Sequence, residues 1–214
     1  MKNRNPGVMA PERYRQLLAR AAREFAASGF ERASLNAIIR DCAMSKSSFY
    51  HYFESKEALF DRVVEDASAA LAADLNAPAP ETLGGPDFWD RIAGFLAQAL
   101  AASARQEWYA DFGKMLYLPD LSAEQGAALQ RVLAGVAGWV GRILAVGRDC
   151  GAVRDDLPAS LQAELVFSVL QAMDRWSLHH MGDFDEAEIA NLARRQLDLL
   201  RRLLAPEAGG ERTV

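Results

Sequence analysis

Apolar residues recur at helical spacing along the whole of this 214-residue chain, and this pattern constrains the fold more than any other feature. Apolar positions at i, i+3, i+4 and i+7 form a stripe on one side of a helix, whereas a half-buried strand alternates apolar and polar residues. No segment combines such alternation with an enrichment in β-branched residues. We therefore predict an all-α protein of about nine helices. The expected helices cover roughly residues 12–28, 35–42, 46–52, 56–76, 87–103, 106–116, 122–150, 158–181 and 185–204.

Charge is distributed unevenly along the chain. Residues 1–56 contain ten Lys and Arg against five Asp and Glu, whereas residues 57–214 contain fourteen against twenty-four. The first segment therefore carries a formal charge of +5 and the remainder −10. A basic end on an acidic body indicates contact with a polyanion through that end alone. An ordinary solvated basic helix is the alternative interpretation of the same charges.

The composition is that of a globular protein, with 50% hydrophobic and 25% charged residues. No apolar run approaches the roughly 20 residues that span a bilayer, and the first ten residues lack the apolar core of a signal peptide. We therefore expect a cytoplasmic protein that does not enter a membrane. Cys42 and Cys150 are far apart, so no disulfide framework is indicated, and both are expected to be small buried apolar side chains. A redox-sensing Cys42 is the alternative.

Two short helices are predicted to meet at a tight turn near the N-terminus. Ser34 is a suitable N-cap for the first, and Ser45 for the second, which runs from Lys46 to Tyr52. In a helix-turn-helix, the second short helix enters the major groove of DNA. Small hydroxyl residues at its start allow close approach to base edges, while Lys46 and the helix dipole attract phosphate. This segment therefore predicts DNA binding.

The same segment resembles the tetracycline-repressor (TetR) family over about residues 12–65. The resemblance is carried by Phe25-Ala26, Gly29-Phe30, Ser34, Ile38-Ile39 and the run Ser45-Lys46-Ser47-Ser48-Phe49-Tyr50-His51-Tyr52-Phe53-Glu54-Ser55-Lys56-Glu57-Ala58-Leu59-Phe60. It implies that the two tyrosines and Lys56 bind phosphates, that residues 45–51 read bases and that Ser34 contacts the DNA backbone. The expected DNA-binding residues are Ser34, Ser45, Lys46, Ser47, Ser48, Tyr50, His51, Tyr52 and Lys56.

Two positions depart from the family pattern. Ala43 stands where the family usually has glycine in the turn, and Ser47 stands where glycine often follows the Ser-Lys pair. An alanine held at positive φ costs about 1–2 kcal/mol. We therefore expect either a slightly different turn or local strain at Ala43, and an operator sequence influenced by Ser47.

Beyond residue 65 the prediction depends on aromatic and thioether side chains. Such residues usually fill a core, but together they could line an apolar cavity for a small, largely apolar or aromatic effector. The expected effector-binding residues are Trp89, Trp108, Phe112, Met115, Trp139, Phe167, Met173 and Trp176. The adjacent His179 and His180 project in different directions from a helix, so no metal site is expected there. No catalytic motif and no cofactor-binding motif is present, so no enzymatic activity and no cofactor is predicted.

The last two helices carry apolar stripes that suit pairing between two copies of the chain. The stripes comprise Leu161, Leu165, Val169 and Leu170, followed by Ile189, Leu192, Leu199 and Leu203. The family resemblance implies that these helices pair with their two-fold mates, so a homodimer is expected. We thus predict a DNA-binding domain at residues 1–57, a helical effector-binding and dimerisation domain at 58–206, and a flexible tail at 207–214.

The function expected from these features is that of a ligand-responsive transcriptional regulator. It would bind a near-palindromic, double-stranded operator as a homodimer, and as a repressor it would be released by the effector. The alternative is a helical small-molecule binding protein, or an enzyme, whose basic N-terminus binds no specific DNA.

Overall fold

The computed structural model describes residues 9–103, 107–118, 121 and 126–206. Throughout those residues the chain forms α-helices, two short 3-10 helices and connecting loops, without a β-strand, so the predicted all-α class is confirmed. The helices are α1 (Pro11–Arg32), α2 (Leu35–Asp41), α3 (Lys46–Tyr52), α4 (Lys56–Leu75), α5 (Phe88–Ser103), α6 (Glu107–Met115), α7 (Ala127–Asp149), α8 (Ala159–His180) and α9 (Glu186–Leu204).

The chain divides into two compact units. The first comprises Met1–Ala70 and Glu107–Gln130, and the second comprises Leu71–Gln106 and Arg131–Val214. The first unit therefore includes α6, which packs on α1. The predicted domain boundary at residue 57 remains a prediction about where the DNA-binding part ends, and the predicted tail at 207–214 lies outside the described residues.

Three phenylalanines organise the core of the first unit. Phe25 and Phe30 are stacked with ring centroids 5.9 Å apart, and the edge of Phe60 meets both rings at 5.1 and 5.4 Å. All three are almost completely buried. Aromatic contacts of this kind add to the stabilisation from burial alone, so α4 is firmly attached to α1.

Gly29 ends the regular part of α1, at the position predicted from the sequence. Its φ of 76° and ψ of 167° lie in a region open almost only to glycine. Beyond this break, helical structure continues to Arg32. Phe30, directly after the break, is buried in this core.

The core of the second unit is built from residues of six different segments. Its buried members are Leu83, Phe88, Val140, Ile143, Leu144, Val153, Val166 and Leu204. Gly147 of α7 is required there, because a Cβ at this position would lie 2.5 Å from Val153 and 2.8 Å from Phe88. The close approach of α5 and α7 therefore depends on that glycine.

Helix α7 is long and apolar enough to cross a membrane by length and composition. Its Val140, Ile143 and Leu144 instead join the buried core of the second unit. Val136 of the same helix is 46% exposed, so α7 is buried along one stripe only.

The two cysteines differ in their surroundings. Cys42 is half-buried, and burial raises the pKa of its thiol, which disfavours the reactive thiolate. Cys150 is exposed at the end of α7, contrary to the expectation that it is buried. Its position in the turn after the helix, beyond the core stripe, accounts for that difference.

Candidate nucleic-acid interface

The two short helices begin at the serines that the sequence identified as caps. The Ser34 hydroxyl accepts a hydrogen bond from the Ala37 amide at 3.2 Å, and the Ser45 hydroxyl accepts one from the Ser48 amide at 3.0 Å. Each interaction satisfies an amide that a helix start leaves without a partner. The local chemistry of the serines thus determines where α2 and α3 begin.

The turn between α2 and α3 passes through Ala43 at a φ of 48°. Of the two alternatives that the sequence left open, a different turn or local strain, the positive φ favours local strain. Two contacts hold the turn. The Arg13 guanidinium donates a hydrogen bond to the Ala43 carbonyl at 2.8 Å, and the next residue, Met44, is buried. Non-glycine residues in this region are strained, so the surrounding contacts keep Ala43 in place.

We expect Ala43→Gly to stabilise the protein by about 0.5–1 kcal/mol. Glycine relieves about 1–2 kcal/mol of strain at the positive φ of the folded state. It also makes the unfolded chain more flexible, which lowers the free energy of unfolding by about 0.4–1 kcal/mol. Thermal unfolding followed by circular dichroism should show a midpoint raised by a few degrees. The reciprocal control is Gly29→Ala, which has open space for a Cβ but a backbone that alanine avoids, so its midpoint should fall. A lower midpoint for Ala43→Gly would contradict strain in the turn.

Helix α3 buries one side and exposes the other. Phe49 is fully buried and Phe53, just after the helix, is 5% exposed, whereas Tyr50 is 54% exposed and Tyr52 is 37% exposed. A concavity of about 560 Å³ on the exposed side is lined by a set of polar and aromatic residues, here called the reading face. The reading face comprises Ser45, Ser47, Ser48, Tyr50, His51 and Tyr52. Six of the nine predicted DNA-binding residues are thus brought together, and Lys46 is exposed on the same short helix.

An ion-pair network connects α1 to the end of α2. Arg20 donates to Asp41 at 2.8 Å and to Glu24 at 3.1 Å. The hydrogen bond from Arg20 holds the pKa of the Asp41 carboxyl below its ordinary value. Glu24 also accepts a hydrogen bond from the Ser34 amide at 3.0 Å. These contacts fix α2 against α1. Because a tight turn connects α2 to α3, they also restrict the position of α3.

Lys56 has intramolecular partners that the sequence did not reveal. Its ammonium donates to the Phe30 carbonyl at 2.8 Å and to the Glu31 carbonyl at 3.0 Å, and it lies 4.7 Å from the centre of the Phe30 ring. Two of its three donors are therefore directed at the connection between α1 and α2. A phosphate contact through the side chain would have to use the third donor or break these bonds.

We therefore expect Lys56→Gln to act mainly on stability. The variant should lose about 1–2 kcal/mol of unfolding free energy, because hydrogen bonds from a charged donor to two carbonyls are weakened or lost. The slope of log affinity against log salt for DNA should stay unchanged, whereas removal of a phosphate contact lowers it by about one. Chemical denaturation and a salt titration of DNA binding measure the two effects separately. A reduced slope at unchanged stability would instead support the phosphate contact implied by the family resemblance.

Sequence reasoning did not find the contribution of Arg13 to the turn. Arg13 and Ala43 are 30 positions apart. The amphipathic pattern of α1 indicated that the arginines lie off its buried face, but nothing in one sequence pairs a particular arginine with a particular carbonyl.

The eight predicted effector residues are divided between the two units. Trp108, Phe112 and Met115 belong to α6 in the first unit. In the second unit, Trp89 and Trp139 are half-buried, and their indole N–H groups each donate to a backbone carbonyl at 3.1 Å, those of Ala152 and Pro78. The remaining three lie on α8: Phe167 and Met173 are half-buried, and Trp176 is 43% exposed with its ring stacked on His180.

The fold and the reading face define the chain as a helix-turn-helix protein. The family described as "Bacterial regulatory proteins, tetR family" matches residues 17–63. This segment of the chain is therefore similar to the DNA-binding part of that family. It is 45% identical over 60 residues to the HTH-type transcriptional regulator UidR of Escherichia coli (strain K12), covering 27% of this chain and 31% of UidR. It is 40% identical over 55 residues to the uncharacterized HTH-type transcriptional regulator YdgC of Bacillus subtilis (strain 168), covering 26% and 28%.

The chain thus matches about a third or less of the length of these curated relatives. Solved structures extend the likeness in fold. The fatty acid degradation regulator FadR from Bacillus halodurans has a TM-score of 0.68 at 16% identity, with 91% of this chain and 96% of that chain covered. The SmeT–triclosan complex has a TM-score of 0.68 at 15% identity, with 95% and 96% covered. FadR from Bacillus subtilis in complex with stearoyl-CoA has a TM-score of 0.65 at 17% identity, with 87% and 97% covered.

Proposed function

We propose that this protein is a transcriptional regulator whose homodimer binds a near-palindromic operator and is released by a small apolar or aromatic effector. The observation that carries the proposal is the exposed reading face on α3, fixed by the capped helices and the buried Phe49. Serine hydroxyls, tyrosine hydroxyls and imidazole are groups that contact base edges and phosphates. The similarity of residues 17–63 to this family of bacterial regulatory proteins supports the same role.

The DNA contacts proposed are those of Ser45, Lys46, Ser47, Ser48, Tyr50, His51 and Tyr52. The phosphate contacts of Ser34 and Lys56 stay predictions, because both side chains already have partners within the protein. The test is fluorescence anisotropy with a double-stranded fragment flanking the protein's own gene, compared with a scrambled fragment. A regulator binds the native fragment roughly 10³-fold or more tightly. Equal, salt-sensitive affinity for both fragments would support the alternative of an incidental basic surface.

Dimerisation is proposed through α8 and α9. Helix α9 buries Leu200 and Leu204 in the core, as α8 buries Val166, yet each helix also exposes neighbouring leucines. These outer leucines are Leu161 (44% exposed), Leu165 (47%), Leu199 (53%) and Leu203 (43%). Exposed apolar residues grouped on one side of a domain are characteristic of interaction surfaces.

The two helices place these outer leucines at the same end of the second unit. Gln196 donates to the Ser177 hydroxyl at 3.2 Å, while Val166 and Leu204 share the buried core. Later residues of α8 therefore lie opposite earlier residues of α9, so the helices run antiparallel. A second copy of the chain is the occupant that suits this surface, because a two-fold axis pairs an apolar patch with itself.

The effector is proposed to contact the second unit beside Phe95 and Trp139, whose half-buried rings lie 5.3 Å apart. Solved structures of the same fold include complexes with stearoyl-CoA and triclosan, and both molecules are suitable probes. Binding to this region should change the tryptophan emission of the wild type and of Trp176→Phe, but not of Trp139→Phe. A signal from neither probe, or one that persists in Trp139→Phe, would contradict this location.

The proposed location is the cytoplasm, where operator DNA is available to a bacterial regulator. The relatives named above are transcriptional regulators, which supports this assignment. Fractionation of cells producing the protein with a small C-terminal tag would test it. Recovery with the membrane fraction would argue against it.

A further inference from the structure

The turn between α2 and α3 closes the end of α2 with two backbone hydrogen bonds. The Met44 amide donates to the Ile39 carbonyl at 3.0 Å. The Ala43 amide donates to the Arg40 carbonyl at 3.0 Å. This pair of bonds is the Schellman motif, which ends a helix through one residue in the left-handed conformation, usually glycine. Ala43, with its φ of 48°, is that residue, so the path from α2 to α3 depends on a conformation that alanine disfavours.

Helix α1 holds this motif at two points. Arg20 donates to the Asp41 carboxylate at 2.8 Å, near the end of α2. Arg13 donates to the Ala43 carbonyl at 2.8 Å. Arg13 and Arg20 are separated by about two turns of helix, so they lie on the same side of α1. Asp41 belongs to α2, whereas Ala43 is the left-handed residue itself, and Arg13 therefore restrains its backbone directly.

Two residues separate Ala43 from the start of α3. The first, Met44, is buried, and the second caps the helix. Because this connection is so short, a change in the backbone of Ala43 would alter the direction of α3. Arg13 also lines a concavity of about 180 Å³ beside α3, whose wall includes Ser48 and Tyr52 of the reading face. The restraint on the turn therefore acts next to side chains that are proposed to contact DNA.

We propose that Arg13 is a positioning residue for DNA binding, because its hydrogen bond to the Ala43 carbonyl holds the turn in the conformation that presents the reading face. This inference rests on the proposed function and names a residue outside the reading face on which operator affinity depends. Without the bond, alanine tends to leave the positive-φ region. Only the molecules that keep this conformation bind the operator, so the apparent affinity falls with their fraction.

The test is the double-mutant cycle of Arg13→Ala and Ala43→Gly in the full-length protein. Arg13→Ala should weaken binding to the native fragment by about 5- to 30-fold for each bound protomer, because alanine is disfavoured at positive φ by roughly that factor. In Arg13→Ala/Ala43→Gly most of the affinity should return, since glycine adopts positive φ without the restraint. Fluorescence anisotropy measures these affinities at a temperature where circular dichroism shows every variant to be folded.

The slope of log affinity against log salt separates positioning from a direct phosphate contact. The slope should stay unchanged in Arg13→Ala, because the molecules that bind make the same contacts with DNA, whereas loss of a phosphate contact lowers it by about 0.9. Arg15→Ala is the matched control. Arg15 is an exposed residue of the same helix, and its guanidinium donates to Glu12 of that helix at 2.9 Å. This variant removes the same charge and leaves the turn intact, so it should bind as the wild type does.

The outcomes separate this inference from the function on which it rests. If wild type binds the native fragment specifically, four results would each overturn the role of Arg13 and leave the proposed function standing. These are an Arg13→Ala variant of unchanged affinity, a lower salt slope in that variant, no recovery in the double variant, or an equal loss in Arg15→Ala. If wild type binds native and scrambled fragments equally, the proposed function fails and the positioning role fails with it.

Discussion

Replacing Leu165 and Leu199 together by glutamate is expected to make the protein monomeric at micromolar concentration and to weaken operator binding by about 10²- to 10⁴-fold. Both leucines are about half exposed, so the folded monomer should tolerate the change. In a two-fold interface each substitution occurs twice, and four carboxylates would be placed where apolar contact is needed. Unpaired charges buried in this way are strongly unfavourable.

The expected loss of DNA affinity follows because dimerisation links the DNA-binding domains of two protomers. A dimer that holds one half-site binds the second as an intramolecular event, and that advantage is worth about 10²- to 10⁴-fold. Analytical ultracentrifugation would measure the oligomeric state, and fluorescence anisotropy the affinity for the native fragment. Both quantities should change in the same variant if dimerisation supports operator binding.

Val136→Glu provides the matched control. Val136 is 46% exposed in the second unit, but it lies on α7 and outside the proposed interface. It therefore adds an equivalent carboxylate at an equally exposed apolar position, and the variant should remain dimeric. Three results would contradict the proposed interface: a monomeric wild type, a double variant that stays dimeric, or a Val136→Glu variant that dissociates equally.

Features governed by neighbouring residues were predictable from the sequence. The caps at Ser34 and Ser45 and the break at Gly29 depend on the chemistry of a few adjacent positions, whereas at Ala43 the sequence left a different turn and local strain as alternatives. Phe49 is buried and the next residue, Tyr50, is exposed because adjacent residues on a helix project about 100° apart. Local rules therefore sufficed for α2 and α3.

Features governed by distant residues were not predictable. Lys56 and the Phe30 carbonyl are 26 positions apart, and no local pattern pairs them. The packing of α6 on α1 places Phe112 in the first unit, whereas the sequence analysis grouped Phe112 with aromatic residues that belong to the second. A single sequence shows which aromatic residues are present, but tertiary packing determines which of them share a site.

The adjacent residues Phe49 and Tyr50 should separate stability from DNA binding within one helix. Tyr50→Ala is expected to weaken binding to the native fragment by about 10- to 100-fold, the loss of roughly 1.4–2.8 kcal/mol of contact energy. Its free energy of unfolding should change by less than about 0.5 kcal/mol, because the side chain is largely exposed. Tyr50→Phe would show how much of the effect belongs to the hydroxyl.

Phe49→Ala is expected to lower the free energy of unfolding strongly and to affect DNA affinity much less. Phe49 is fully buried and packs 5.4 Å from Phe53, so its truncation should cost about 3–5 kcal/mol of unfolding free energy. Where the variant is still folded, at low temperature, it should bind the native fragment much more tightly than Tyr50→Ala does, since its reading face is intact. If Tyr50→Ala kept full affinity, or destabilised the protein as much as Phe49→Ala, the exposed side of α3 would not be the surface that contacts DNA.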